Sequence, residues 1–298
     1  MSKTFFRILL TAAWCCIPLG VSGQDVDELI REGIRLHGEQ RYDEAIGVYR
    51  KALEILPDSP VILSEIAMSS LYAGDNEKAL IYSDQALRQL GGNFSGVYLT
   101  KGSALRNMGR LSEAATVFKQ GLTVSGSYFM LHYALGQVLY LQHRDEEAIP
   151  EWIAAIRLQP NHGSSHLLLG YTLLDQQKVT AAQLSLLYFL LLEPSTDRSR
   201  EAFQALWHTL GPPQTLSDYV TGMEQCMEKL LKEELPDTPW TAFQKAFYLP
   251  FFRSLHESGY TRAFALYLAA PSSEEATRML SVEGTTFSAF WEFLESYE

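Results

Sequence analysis

Five alanines set the frame of this chain. Ala45, Ala79, Ala114, Ala148 and Ala182 succeed one another at intervals of 34, 35, 34 and 34 residues. A fixed period in that range marks a repeat architecture, in which one supersecondary unit recurs and each copy buries its apolar face against the next. Other positions recur in phase. Counting from Phe129, one unit carries Leu135-Gly136 at positions 7 and 8, Leu139 at 11, Ala148 at 20, Trp152 at 24, Ala155 at 27 and Pro160 at 32. The first unit repeats this with Gly33, Leu36, Tyr42, Ala45, Tyr49, Ala52 and Pro57. The second has Ile66-Ala67, Ala79 and Ala86; the third has Gly102, Leu105, Leu111, Ala114, Phe118 and Gly121. The fifth has Leu169-Gly170, Leu173, Ala182, Leu186 and Pro194.

Small residues at positions 8, 20 and 27 predict close approach of two helices, with the large residues at 7, 11 and 24 filling the space beside them. Pro57, Pro160 and Pro194 fall just after apolar-periodic runs, where a helix should stop. The inner turns Tyr42-Asp43-Glu44, Gly74-Asp75-Asn76-Glu77 and Arg144-Asp145-Glu146-Glu147 place acids in the first turn of a second helix, where its dipole favours them.

The pattern over residues 26–196 resembles the tetratricopeptide repeat family. The expected fold is all-α: an α-solenoid of helix-turn-helix repeats at 26–59, 60–94, 95–128, 129–162 and 163–196, with a helical C-terminal cap over 197–298. Two departures stand out. Leu90-Gly91-Gly92-Asn93 replaces the proline ending of the second unit and adds a residue, which allows a flexure or a change of pitch. Phe189 occupies the small position 27 of the fifth unit and predicts wider packing against the next helical segment.

The resemblance implies that ligand contacts lie on the first helix of each unit, at positions 2, 5, 9, 12 and 13. Carried onto this chain, the candidates are Ile34 and His37, Met68 and Tyr72, Arg106 and Asn107, then Tyr133, Gln137 and Tyr140, and finally Tyr171 and Asp175. Tyrosine and arginine are common interface anchors because they join contact area to a polar handle. A groove of Tyr133, Tyr140 and Tyr171 suits an extended peptide or an amphipathic helix; the alternative is that these tyrosines fill the solenoid core. Family members that grip chaperone C-termini use a lysine/asparagine clamp. Ile30 and Ile34 stand where that clamp would start, and units two and three offer no equivalent set, so that role is not expected.

Residues 1–23 read as a cleaved secretory signal peptide: Lys3 and Arg7, an apolar stretch from Ile8 to Leu19, and a Val21-Ser22-Gly23 end. The apolar run is short for a membrane anchor, and no transmembrane segment is expected in the mature chain. Export, with the periplasm or envelope of a Gram-negative bacterium as the favoured destination and secretion otherwise, is the expected localisation. Removing the leader takes Cys15 and Cys16 with it. Cys226 is then alone, so stability must come from helix packing and not from a disulfide. Removing Lys3 and Arg7 moves the net charge from -11 to -13. That balance argues against nucleic-acid binding and against docking on an anionic membrane, both of which need basic surface.

After Thr196 the repeat fades while helices continue: Arg198 to Leu210, Leu216 to Leu235, one starting at Asp237-Thr238-Pro239, a short one to Leu280 and a last one from Thr285 to Tyr297. Pro250 is expected to kink or break the third of these. Gly259-Tyr260-Thr261-Arg262-Ala263 echoes a repeat turn. This block either caps the open end of the solenoid or, through Trp240, Phe243, Phe247, Phe252, Phe287, Phe290, Trp291 and Phe293, forms a docking surface.

No Gly-rich phosphate loop, HExxH, nucleophile elbow or paired CxxC is present, and no cofactor is implied. Asn93-Phe94-Ser95 is a glycosylation sequon. His162 and His166, with His132 one unit earlier, form a weak metal-site pattern that structural histidines explain equally well. The expected function is a non-enzymatic protein–protein interaction scaffold in the cell envelope, holding a protein or peptide segment in the concave groove. The rivals are a small-ligand or glycan binder using the tyrosines, and an enzyme using His208, Asp218, His256 and Glu257 of the C-terminal block.

Overall fold

A computed structural model of the protein describes residues 23–90, 94–125, 128–211, 215–234 and 238–296. Residues 1–22 of the leader, the 91–93 stretch with the sequon's Asn93, and Pro212, Pro213, Leu235, Pro236, Asp237 and Tyr297 of the expected helix limits lie outside them. Among the described residues the regular elements are all helical. The described residues divide into two compact units, one ending at Leu90 and the other starting at Phe94.

The first unit contains two helix hairpins, α1 (Gly23–Gly38) with α2 (Tyr42–Ile55) and α3 (Pro60–Tyr72) with α4 (Asn76–Leu90). The second opens with three more: α5 (Ser95–Asn107) with α6 (Leu111–Ser125), α7 (Phe129–Leu141) with α8 (Asp145–Leu158), and α9 (Gly163–Asp175) with α10 (Val179–Leu192). Here α6 packs on α7 and α8 on α9, while the first helices α5, α7 and α9 also neighbour one another.

The phased small residues explain why each hairpin closes. A β-carbon on Gly33 would lie 2.3 Å from the Tyr49 ring, and one on Gly102 would lie 2.2 Å from the Phe118 ring. One on Gly136 would meet Trp152 at 2.9 Å, and one on Gly170 would meet Leu186 at 2.7 Å. Only glycine at position 8 lets the large residue at 24 lie flat against the first helix. The second repeat solves the same problem with Ala67 and Ser83, both fully buried. Ala45, Ala79, Ala114, Ala148 and Ala182 are fully buried too.

The inner turns are copies of one motif. The N–H groups of Arg41, Asp75, Arg110, Arg144 and Lys178 each donate to the carbonyl five residues earlier, all at 2.9 Å. The residue before each donor is left-handed: Gln40, Gly74, Gly109, His143 and Gln177. This is the Schellman closure of a helix C-terminus. Three donors then pair forward with the first turn of the next helix: Arg41 with Glu44, Arg110 with Glu113 and Arg144 with Glu147, each at 2.7 Å. These pairs are exposed and each contributes little stability.

The second unit continues with α11 (Asp197–Leu210), α12 (Leu216–Lys232), α13 (Pro239–Glu257), α14 (Thr261–Ala269), α15 (Glu274–Val282) and α16 (Gly284–Glu295). Thr196, Thr215 and Thr238 start α11, α12 and α13 with reciprocal capping boxes to Ser199, Asp218 and Thr241. Helix α11 covers α10, and α13 packs back on α8 and α10. Phe189 is fully buried, with the Arg198 guanidinium 5.6 Å from its ring centre.

Pro250 does not break α13, which runs on through it to Glu257. Pro250 and Ala246, whose carbonyl loses its partner there, are both exposed. Water can serve that carbonyl, while Tyr248, Phe252 and Leu255 keep the opposite face buried. Between α13 and α14 the repeat turn appears again: Tyr260 N–H donates to the Leu255 carbonyl at 3.0 Å and Gly259 has φ +76.

Of the C-terminal aromatics, Phe243, Phe252 and Phe290 are buried, Trp240, Phe247, Phe287 and Phe293 are half-buried, and Trp291 is exposed.

Candidate functional site

In the first unit, α1 and α3 present His37, Ile34, Met68 and Tyr72. The His37 imidazole lies edge-on to Tyr42 at 5.1 Å and to Tyr72 at 5.2 Å, and Tyr42 stacks on Tyr72 at 5.7 Å. Ser69 Oγ fixes His37 Nδ1 at 2.9 Å. Partial burial holds the imidazole below its ordinary pKa. Tyr72 and Ile34 are 61% and 51% exposed, so their apolar surface is open to a partner. Met68 is half-buried. Ile30 packs against the first-repeat core, and neither it nor Ile34 offers a charge or hydrogen bond to a carboxylate.

In the second unit the candidates form two polar links along the first helices. Arg106 Nη1 on α5 donates to Gln137 Oε1 on α7 at 2.6 Å, and Gln137 Nε2 donates to the Tyr133 hydroxyl at 3.0 Å. Arg106 also reaches Asn107 Oδ1 at 3.4 Å. Tyr140 donates its hydroxyl to Asp175 Oδ2 on α9 at 2.7 Å. That bond to a carboxylate, aided by burial, pushes the Tyr140 phenol up to about 12. Beside these links lies a cavity of about 390 Å³ lined by Arg106, Gln137, Tyr140, Leu141 and Leu168. Three successive first helices contribute to it.

The three tyrosines do not share one environment. Tyr133 packs its ring against Trp152 and, at 4.8 Å, against His162. Tyr171 is half-buried, which raises its pKa, and it is not among the residues lining the cavity. Of the three, Tyr140 alone lines it. Leu141, 53% exposed, and Leu168 are not legible in the sequence as site residues, because a position in a helical apolar pattern does not reveal which leucine is left uncovered.

The histidines each have separate partners. His132 Nδ1 meets Glu151 at 2.7 Å, His162 Nδ1 meets Ser165 Oγ at 2.8 Å, and His166 lies fully buried between Tyr248 and the Pro160 carbonyl. Among the described residues no three His, Cys, Asp or Glu side chains are grouped to hold a metal ion. Cys226 is buried, and burial pushes its thiol up to about 12. Asp218 serves the α12 capping box and His256 reaches Thr261 at 3.2 Å. Among the described residues no helix is long and apolar enough to cross a membrane.

Helix hairpins closed by small residues at one phased position, joined by one recurring turn and packed one on the next, define a helical-repeat solenoid. Residues 99–163 match the tetratricopeptide repeat family. The small glutamine-rich tetratricopeptide repeat-containing protein 2 of Mycosarcoma maydis is 31% identical over 109 residues, which cover 37% of this chain. The match spans about a third of that relative, 31% of its length. In structure, a thermophilic tetratricopeptide repeat protein of Thermus thermophilus aligns with TM-score 0.51 and 23% identity over 61% of this chain and 98% of its own. MamA from Desulfovibrio magneticus RS-1, residues 41 to the end, aligns with TM-score 0.52 and 19% identity over 59% and 98%. Both likenesses show the fold.

Proposed function

We propose that this chain is a non-enzymatic interaction scaffold that captures a segment of a partner protein on the first-helix face of its repeats. The carrying observation is the cavity to which α5, α7 and α9 all contribute, with Arg106 and Gln137 as hydrogen-bonding groups and Leu141 and Leu168 as apolar wall. Polar groups at fixed positions beside exposed leucine suit an extended or helical segment that needs both backbone partners and a place for an apolar side chain. The pairing of Arg106 with Gln137 holds both side chains in place before binding, which lowers the ordering cost. The exposed Tyr72 and Ile34 of the first unit are a further contact set of the same kind. The basic-then-apolar leader pattern at residues 1–23 supports action in the cell envelope.

The test is affinity capture from envelope extract with three baits: the wild-type chain, Arg106→Ala/Leu141→Ala, and Ile81→Ala, an exposed second-helix control. A partner retained by the first and third baits and lost from the second supports the proposal. Equal retention on all three sinks it.

A further inference from the structure

Away from the first-helix face, α13, α14 and α16 meet α10 and the end of α8 around a second cavity, of about 500 Å³. That volume is in the range of small-molecule sites. Its walls include five aromatic rings, Tyr188, Phe247, Phe251, Tyr267 and Trp291. Among the described residues, the one acid or base on those walls besides the tyrosines is the carboxylate of Glu295. The rings stand steeply to one another: Tyr188 to Phe247 at 62°, Tyr188 to Phe251 at 80° and Tyr267 to Trp291 at 61°. Such walls present both faces and edges to the space between them.

Three helix C-termini reach the same cavity. Helix α8 ends at Leu158, and the lining begins at the next residue, Gln159; Leu191 and Leu192 close α10, and Leu294 and Glu295 close α16. A helix C-terminus carries negative partial charge. Ring faces are negative as well, and Glu295 adds a full charge. Among the described residues no lysine, arginine or histidine lines the cavity to offset them. The fold uses ring faces for cations elsewhere in the same unit: Arg157 lies 5.7 Å from the Phe243 centroid and Lys178 lies 5.2 Å from that of Trp240. Burial raises the Tyr267 phenol above its ordinary pKa, which fits a wall of low dielectric.

From this convergence we infer that the cavity is a binding site for a small organic cation of the quaternary-ammonium class. A methylated ammonium has no N–H to satisfy, so it loses little on leaving water for an aromatic box. The head group of lysine or arginine would bring N–H donors that must each find an acceptor, a demand the methylated ammonium does not make. The site uses none of the first-helix residues and is independent of the interaction proposed above.

The test is isothermal titration of the full chain with choline and with its neutral isostere 3,3-dimethyl-1-butanol. Choline is expected to bind saturably and about tenfold more tightly than the isostere, the margin of a partly desolvated cation–π site. Trp291→Leu and Glu295→Gln are each expected to weaken choline several-fold. Both residues are exposed, so an unchanged thermal midpoint and circular dichroism spectrum show that the variants fold. No choline binding up to millimolar concentration, equal binding of choline and isostere, or choline binding insensitive to both substitutions overturns the inference. Binding of N-acetyl-lysine amide in place of choline also overturns it, because the occupant is then a partner's side chain.

Discussion

The imidazole of His166 and the phenol of Tyr248, 82 residues apart in sequence, meet at 2.7 Å inside the protein. The Pro160 carbonyl lies 2.7 Å from the other ring nitrogen, Nε2. A carbonyl can only accept, so Nε2 carries the proton, Nδ1 is the acceptor, and Tyr248 donates to it. The arrangement requires a neutral imidazole. Burial lowers His166 to about 4, and burial also holds the Tyr248 phenol above its ordinary value. This pair fastens the fifth repeat to α13.

A pH dependence of stability results. The folded pKa of His166 lies below the unfolded one, so its contribution is complete above about pH 6.5 and is lost as the pH falls toward 4. Between pH 7.5 and 4.5 the loss from this group is about 2–3 kcal/mol. Urea unfolding at the two pH values measures it. His166→Gln is less stable at pH 7.5 and shows a pH difference smaller by about that amount; an equal difference in both proteins would remove His166 as the cause.

Two glycines in neighbouring structural roles should respond in opposite directions to alanine. A β-carbon on Gly102 would meet the Phe118 ring at 2.2 Å, whereas one on Gly47, exposed in the middle of α2, meets nothing within 4 Å. Gly102→Ala is expected to cost about 1–3 kcal/mol through overpacking. Gly47→Ala is expected to stabilise by about 0.5–1 kcal/mol, because alanine loses less backbone freedom in a helix. Thermal melts of the two variants decide it; a stabilised Gly102→Ala would show that the hairpin has room to open.

The same contrast shows what a sequence can reveal. Gly33, Gly102, Gly136 and Gly170 recur in phase with Tyr49, Phe118, Trp152 and Leu186, so their close contacts are readable as a period. Gly47 breaks no pattern and announces nothing. The all-α solenoid and its repeat resemblance are legible for this reason: each repeat restates the same local packing problem. The Schellman turns are less so, because Gln40, His143 and Gln177 adopt a left-handed conformation that their residue type does not signal. The continuity of α13 is hidden because Pro250 has the same effect on the sequence pattern whether its side of the helix faces solvent or core. The first-helix candidates rest on positional correspondence alone. Such correspondence places Tyr133 and Tyr140 on one helix, but it does not say that Tyr133 turns to Trp152 while Tyr140 faces a cavity. The His166–Tyr248 bond joins segments with no shared period and is outside the reach of any local reading.

The Gly136–Trp152 pair should be strongly non-additive. Trp152 is fully buried, donates Nε1–H to Thr172 at 3.2 Å, and lies where a Gly136 β-carbon would sit, 2.9 Å from the indole. Trp152→Ala is expected to cost about 3–5 kcal/mol, and Gly136→Ala about 1–3 kcal/mol. In the Trp152→Ala background the ring is gone, and Gly136→Ala should become neutral or slightly stabilising. A double-mutant cycle by urea unfolding reports the coupling. Simple additivity would mean that the glycine is not there to seat the indole.

The recurring turn offers the last prediction, because its left-handed residue is glycine in some repeats and not in others. Gly74 and Gly109 hold that position at φ 84 and 75, and His143 holds it at φ 56. The backbone task is the same, since Arg110 and Arg144 make the same 2.9 Å closure to Leu105 and Leu139. A side chain in this conformation crowds its own carbonyl at a cost of about 1–2 kcal/mol, which glycine avoids. Glycine also has more freedom to lose from the unfolded chain, which offsets part of the gain. His143→Gly should therefore stabilise by up to about 1 kcal/mol, and Gly109→Ala should destabilise by about 1 kcal/mol or more although its β-carbon would meet nothing within 4 Å. The His143 side chain is partly exposed, so no buried contact confuses the comparison. Denaturant midpoints of the two variants check it. A destabilised His143→Gly would mean that the histidine side chain, and not the turn's backbone, sets the stability of that junction.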